Sequence, residues 1–265
     1  MIGSQSQVTL ERHGSAGVIR LESPGTRNAL TLELRTGLAR CIDEVKADSG
    51  IRAVVLTGTP GTFCSGGDLK GMRTPADRDS DELRERMLAI HALFRELLLL
   101  DKPLIAAVDG AAYGGGFSLA LTADIILVTP RARFSMVFAK VGLVPDCCAS
   151  FTLPRAVGVQ RARELFMSAR EVDANEALRL GIALEQHASE VVFSRAVELA
   201  DAFTGASPLA TKLQKRLGLD LGAMEAAFEA EANAQALCLQ TTWHKEAVRR
   251  FVDKEPPAFR WPSIV

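Results

Sequence analysis

The stretch Leu104-Ile105-Ala106-Ala107-Val108-Asp109-Gly110-Ala111-Ala112-Tyr113-Gly114-Gly115-Gly116-Phe117-Ser118-Leu119-Ala120-Leu121 sets out the fold in miniature. Its first five residues are apolar without alternation, as in a strand covered on both faces. A glycine-rich turn follows, and then an apolar run compatible with a helix. Outward from it, Ala53–Thr57 and Ile125–Val128 are also continuously apolar, while residues 8–11 and 18–21 alternate like half-buried strands. Between these runs, Leu34, Leu38, Cys41, Ile42 and Val45 fall at helical spacing, as do Leu83, Met87, Ile90, Phe94, Leu97 and Leu98. Strand and helix in alternation imply parallel βαβ units and an α/β fold. After Pro154 helical patterns dominate, from residue 160 to residue 252. Ser207-Pro208 reads as an N-cap followed by proline in the first turn, and residues 224–239 as one long helix. The organisation expected is a core over residues 1–200 and a helical C-terminal region over residues 201–265.

Composition narrows the function. The chain has 265 residues, 48% of them hydrophobic and 24% charged, an ordinary globular balance. With 31 basic and 32 acidic residues the net charge is −1, which gives no electrostatic case for a nucleic-acid or anionic-membrane partner. The five cysteines form no C-x-x-C pair, so neither a disulfide framework nor a metal site is expected, and a reducing cytoplasmic setting fits. No secretory signal opens the chain and no apolar run is long enough to span a bilayer.

Two glycine-containing turns follow apolar strands: Phe63-Cys64-Ser65-Gly66-Gly67-Asp68 and Gly110 through Gly116. Neither matches the phosphate-binding patterns G-x-x-x-x-G-K-[ST] or G-x-G-x-x-G. A helix starting near Gly115 would aim free N–H groups and a positive dipole end at whatever binds there. One N–H from each loop would hold a carbonyl oxygen that gains negative charge. Taken singly, each loop reads equally well as a plain tight turn.

Together the motifs resemble those of the crotonase (enoyl-CoA hydratase/isomerase) superfamily. Arg27-Asn28-Ala29-Leu30, Phe63 through Lys70, Val108 through Gly116, and Val141-Gly142-Leu143-Val144-Pro145-Asp146 with Leu153-Pro154-Arg155 occur in the family's order. So does Phe251-Val252-Asp253-Lys254, and the resemblance runs from about residue 8 to residue 259. It implies a spiral of ββα units with a helical trimerisation region, assembled as a homotrimer or hexamer. It places oxyanion donors on Ser65 and Gly115. It places coenzyme A, which is part of the thioester substrate rather than a separate cofactor, against Arg27, Ala29, Gly67, Asp68 and Leu69. Phe251 and Lys254 fall where a neighbouring subunit closes over the CoA.

The family's hydratases use two glutamates, and here those positions fall on Ser118 and Phe138. Neither side chain can act as a carboxylate. Asp146 coincides with the aspartate of some family isomerases, and residues 134–147 are closest to the 1,2-epoxyphenylacetyl-CoA isomerase type. The chemistry this implies needs only one acid: with the enolate held, Asp146 takes a proton from one carbon and returns it to another. Apolar surroundings such as Phe134 and Phe138 would raise its pKa. Without the resemblance, Asp146 reads as a helix N-cap. Cys148 and Ala149 stand where the family often has two glycines, which either narrows the acyl pocket or marks lost activity.

Gly116-Phe117-Ser118-Leu119-Ala120 is a loose nucleophile elbow, and Ser118, Asp146 and His187 give a hydrolase order. Ser118 nevertheless belongs inside a helix rather than on a sharp turn, so it reads as a small pocket residue. Tyr113, Phe138 and Cys147 read as substrate-pocket wall, with Cys147 lacking a partner base. Lys70, Arg73 and Lys140 are either CoA-phosphate contacts or solvated charges. The leading expectation is an enoyl-CoA double-bond isomerase. A hydratase, an Asp146-dependent hydrolase and a catalytically silent CoA binder are the alternatives.

Overall fold

A computed structural model describes residues 7–69 and 79–262. Lys70 and Arg73 therefore lie outside the described residues. The chain opens with an antiparallel pair, β1 (Gln7–His13) and β2 (Ala16–Glu22), in which Leu10 faces Ile19. Helix α1 (Leu32–Ala47) starts at Thr31, whose hydroxyl accepts the Leu34 N–H, and buries the stripe Leu34, Leu38, Cys41, Ile42 and Val45. Next come β3 (Ala53–Thr57) and the short β4 (Thr62–Cys64). Helix α2 (Ser80–Leu98) is capped by Asp79.

The strand–strand–helix unit then repeats. Strands β5 (Leu104–Val108) and β6 (Ala111–Tyr113) lead into α3 (Gly115–Ala120). Strands β7 (Ile125–Val128) and β8 (Arg133–Ser135) follow, and a 3₁₀ turn over Val137–Val141 ends at Gly142. Helices α4 (Ala149–Val157) and α5 (Val159–Ser168) lead to β9 (Val172–Asp173), α6 (Ala174–Arg179), β10 (Glu185–Gln186) and α7 (Val192–Ala202). The chain closes with α8 (Pro208–Leu217), α9 (Leu221–Gln240) and α10 (Thr242–Val252).

Each turn of this spiral visits two sheets. One has the order β1-β2-β3-β5-β7-β10 and the other β4-β6-β8-β9. The β3–β5–β7 ladder is parallel, with Val55 opposite Ile105 and Ile105 opposite Ile125. Its strands are apolar throughout because both faces are covered. Val54, Leu56, Leu104, Ala106 and Val108 face the main core. Ala53, Val55, Ile105 and Ala107 face a smaller cluster completed by Val192, Ala196 and Ala200 of α7. The architecture is the crotonase fold, mixed α/β with a helical C-terminal region.

That region does not stand apart. Met224 and Phe228 of α9 belong to the main core. Arg84 of α2 bonds Asn233 and Glu229, while Arg95, three turns on, bonds Glu225, so α9 runs antiparallel along α2. This packing brings one face of α9 under the acid loop described next.

Candidate active site

Glycine loops come first. Asn28 adopts a left-handed conformation (φ 55°), which asparagine tolerates better than most residues. Its side chain accepts the Ser23 N–H at 2.7 Å and donates to the carbonyls of Thr62 and Phe63 at 3.0 and 3.1 Å. It thereby pins the 23–30 segment to β4. Leu30 then donates its N–H to the Gly66 carbonyl at 2.8 Å. Gly66 itself has φ +92°, and a Cβ there would lie 2.4 Å from the Tyr113 carbonyl oxygen. A Cβ on Gly116 would lie 2.1 Å from the Cys64 carbonyl oxygen. The two loops thus meet backbone to backbone, closer than any side chain permits.

The donor assignment changes in one place. The Ser65 N–H already donates to the Arg27 carbonyl at 3.1 Å, so it is not free to hold a substrate oxygen. Ser65 lies on the cavity wall, yet its hydroxyl also points back, to the Thr26 carbonyl at 3.2 Å. The N–H groups of Gly67 and Gly115 find no acceptor among the described residues, and both residues line the cavity. The N–H left without a protein acceptor on the first loop is therefore that of Gly67, two residues after the expected donor.

The cavity has a volume of about 790 Å³. Its wall includes Leu30, Leu69, Met87, Phe138, Asp146 and Cys147. Asp146 follows Pro145 on the loop between the 3₁₀ turn and α4, where Cys147 and Cys148 both adopt left-handed conformations (φ 60° and 67°). Asp146 is only 9% exposed, and its Oδ2 accepts the Gln235 Nε2–H at 2.7 Å. Burial pushes its pKa up to about 6, against the opposing pull of hydrogen bonds from Gln235 and the Cys147 thiol. Cys147 is itself held well above its usual range by burial and by the charge of Asp146, so it stays a protonated donor and not a nucleophile.

Helix α9 holds this loop with a second side chain, one turn before Gln235. Glu231 is 4% exposed and accepts the N–H groups of Cys148 (2.7 Å) and Ser150 (2.9 Å) and the Ser150 hydroxyl (2.6 Å). Cys148 caps α4 without a side-chain bond, so Glu231 satisfies the free donors at that helix start from another element. Burial lifts Glu231 to about 7, partly offset by these bonds, and the neighbouring Asp146 charge adds to the rise. His91 of α2 lies 4.0 Å from Glu231, near enough for an ion pair. Burial nevertheless lowers His91 to about 4, and its Nε2 accepts the Cys147 N–H at 3.4 Å, so it is neutral and no ion pair forms. Glu231, Gln235 and His91 had no sequence signal: they sit 56 to 89 positions from the loop they contact.

Several sequence-predicted wall residues are elsewhere. Tyr113 is not on the cavity wall; its hydroxyl donates to Glu171. Ser118 is fully buried rather than wall. Its hydroxyl reaches the carbonyls of Gly114 (3.3 Å) and Asp146 (2.9 Å), tying the glycine loop to the acid loop. The Ser118–Asp146–His187 hydrolase order also fails, since His187 bonds Glu185 at 2.6 Å instead. Phe138 and Cys147 are on the wall, and so are Gly67, Asp68 and Leu69. Arg27 (φ 55°) and Ala29, which is buried, are not. Helix α10 crosses its own cavity with Lys245, Val248 and Val252, while Phe251 and Lys254 lie off the wall.

Two amide N–H groups without a protein acceptor and a buried carboxylate on the wall of one cavity suit a carbonyl compound that gains charge on oxygen as it loses a proton. A family model described as Enoyl-CoA hydratase/isomerase matches residues 11–261. A short-chain-enoyl-CoA hydratase of Clostridium acetobutylicum is 32% identical over 94% of this chain and 95% of its own length. A 1,2-epoxyphenylacetyl-CoA isomerase of Escherichia coli is 31% identical over 93% of this chain and 96% of its own. The crystal structure of an enoyl-CoA hydratase/isomerase from Cupriavidus metallidurans, 40% identical, superposes with a TM-score of 0.77 over 98% of each chain. The chain belongs to the enoyl-CoA hydratase/isomerase family and is an acyl-CoA enzyme.

Proposed function

We propose that the protein is an enoyl-CoA double-bond isomerase in which Asp146 shuttles the proton. One observation carries this reading. Among the described residues four carboxylates line the cavity (Glu33, Asp68, Asp146 and Asp253), and of these only Asp146 is buried. The thioester oxygen sits between the Gly67 and Gly115 N–H groups, which strengthen their hold as the enolate forms. Asp146, with a pKa near 6, is ionised at neutral pH. Its desolvation makes it a stronger base than an exposed aspartate. It removes a proton from the carbon next to the thioester and returns one two carbons along, moving the double bond.

Hydration by two carboxylates is the competing reading, and many relatives carry the name hydratase. Phe138 on the wall and the committed hydroxyl of Ser118 argue against it, since neither can orient a water for attack. The CoA moiety is placed along Asp68 and Leu69, with Arg27, Ala29, Phe251 and Lys254 left to the adenine end or to a neighbouring copy. Exposed Leu209, Leu213 and Leu217 on α8 support assembly through residues 201–265 as a trimer or hexamer. The test is product analysis with 3-enoyl- and 2-enoyl-CoA esters. Interconversion of the two without hydroxyacyl-CoA supports the isomerase; accumulation of 3-hydroxyacyl-CoA at a comparable rate refutes it.

A further inference from the structure

The acyl end of the cavity contains a cation that the proposed proton shuttle does not use. Arg35, in the first turns of α1, is half-buried and lines the wall. Its Nε donates to the Leu30 carbonyl at 3.2 Å. Leu30 is the residue whose N–H bonds Gly66, and its Cδ1 would lie 2.9 Å from a Cβ on Gly115. The guanidinium is thus tied, through one residue, to both loops that receive the thioester oxygen. On the other side it acts on the acid loop: its charge draws the Cys147 thiol downward against burial. Arg35 therefore stands at the reacting end of the cavity.

Among the described residues Arg35 makes no ion pair, and neither Nη group finds an acceptor; of the carboxylates only the charge of Glu33, two residues before it on the same wall, acts in its favour. Glu33, its nearest acid in sequence, is exposed. Burial and the like charge of Arg86, which lines the same wall from α2, both push the Arg35 pKa down. By contrast, Arg249 on the α10 side is already engaged with Glu246, Asp253 and Glu255. On the wall beside Leu83, Met87 and Ile90, Arg35 thus presents two Nη groups without a protein acceptor among the described residues, and an incoming carboxylate would take N–H bonds from that planar fork.

We propose that the acyl group taken by this site carries a carboxylate, the substrate being the mono-CoA thioester of an unsaturated dicarboxylic acid whose far carboxylate is received by Arg35, with Arg86 beside it. This rests on the reading of the cavity as an acyl-CoA site, not on the isomerase assignment. The phosphates of CoA are the other anions a guanidinium could receive, and the tether to Leu30 argues against them by holding Arg35 at the thioester end.

The test is equilibrium binding, which needs no turnover. Saturated glutaryl-CoA and adipyl-CoA are compared with butyryl-CoA, hexanoyl-CoA and CoA itself by calorimetry on the full chain. The wild type is expected to prefer a dicarboxylic monothioester over its neutral counterpart by about 10- to 100-fold, the range of a charge-assisted hydrogen-bonded pair. Arg35→Gln is expected to erase that preference, so that dicarboxylic and neutral esters bind alike, while free CoA is still bound. Arg35→Lys keeps the charge without the fork and is expected to retain only part of the preference. Absence of any preference in the wild type overturns the proposal. So does an Arg35→Gln protein that loses CoA and every ester alike, the mark of a phosphate contact. Failure to isomerise any ester leaves this result untouched, so the two readings fall separately.

Discussion

Replacing Gln235 by Leu removes the amide that donates to Asp146 Oδ2 at 2.7 Å and leaves the volume nearly unchanged. Asp146 is buried, so the lost bond is one made to a desolvated carboxylate. Such charge-assisted bonds contribute about 1.5–3 kcal/mol, and at about 1.4 kcal/mol per pKa unit this is a rise of about one to two units. The direction follows from charge: Gln235 favours the ionised form and lowers the pKa, so its loss raises it from about 6. Asp146 must be ionised to take a proton, so the acidic limb of the kcat/KM–pH profile moves to higher pH by the same amount. At neutral pH the rate falls about twofold to tenfold, and it recovers at pH 9. The assay is isomerisation of a 3-enoyl-CoA across pH 5–9, with circular dichroism to confirm folding. An acidic limb that stays in place, or moves to lower pH, refutes the assignment of Asp146 as the titrating base.

Other perturbations have defined outcomes. Glu231 is raised to about 7 from an ordinary 4.5, so its stabilising contribution is full below pH 4.5 and is lost as pH rises through 7. The stability of the wild type relative to Glu231→Gln, read by urea unfolding, is therefore expected to fall between pH 5 and pH 8; a constant difference contradicts this. Gly66→Ala puts a Cβ 2.4 Å from the Tyr113 carbonyl oxygen at φ +92°. It is expected to cost at least 2 kcal/mol of stability, roughly the size of such backbone strain, and most of the activity; an unchanged Tm contradicts the packing of the two loops. Asn28→Ala strands the Ser23 N–H and the Thr62 and Phe63 carbonyls, and is expected to destabilise by about 2–4 kcal/mol.

How much of this was readable in the chain depends on distance along it. The runs at 53–57, 104–108 and 125–128 announced buried parallel strands because both of their faces are covered, one by the main core and one by α7. Strands β4, β6, β8 and β9, two or three residues each, are too short for any periodicity to register, so the second sheet stayed hidden. Glycine loops and the Asp146 loop are local patterns and could be found. Which amide on the first loop is free could not, because the answer lies in the Arg27 carbonyl, 38 residues upstream, which consumes the Ser65 N–H. Glu231 and Gln235 look like the polar residues of a solvated helix in an Ala- and Glu-rich stretch. Only the antiparallel packing of α9 on α2 turns them inward, and no pattern within α9 encodes its partner. The pair Cys148-Ala149 reads differently with the structure: the left-handed conformation that glycine would ease is held at Cys148 by Glu231.

The most direct test of the single-carboxylate shuttle is proton NMR of a 3-enoyl-CoA turned over in D₂O by the wild type and by Asp146→Asn, which keeps shape and loses the base. The account predicts isomerisation with deuterium entering next to the thioester and at C4 in the wild type. In the variant both should drop by about 10²–10⁴-fold while the affinity for a saturated acyl-CoA is retained. An Asp146→Asn protein that isomerises and exchanges within tenfold of the wild type would contradict it.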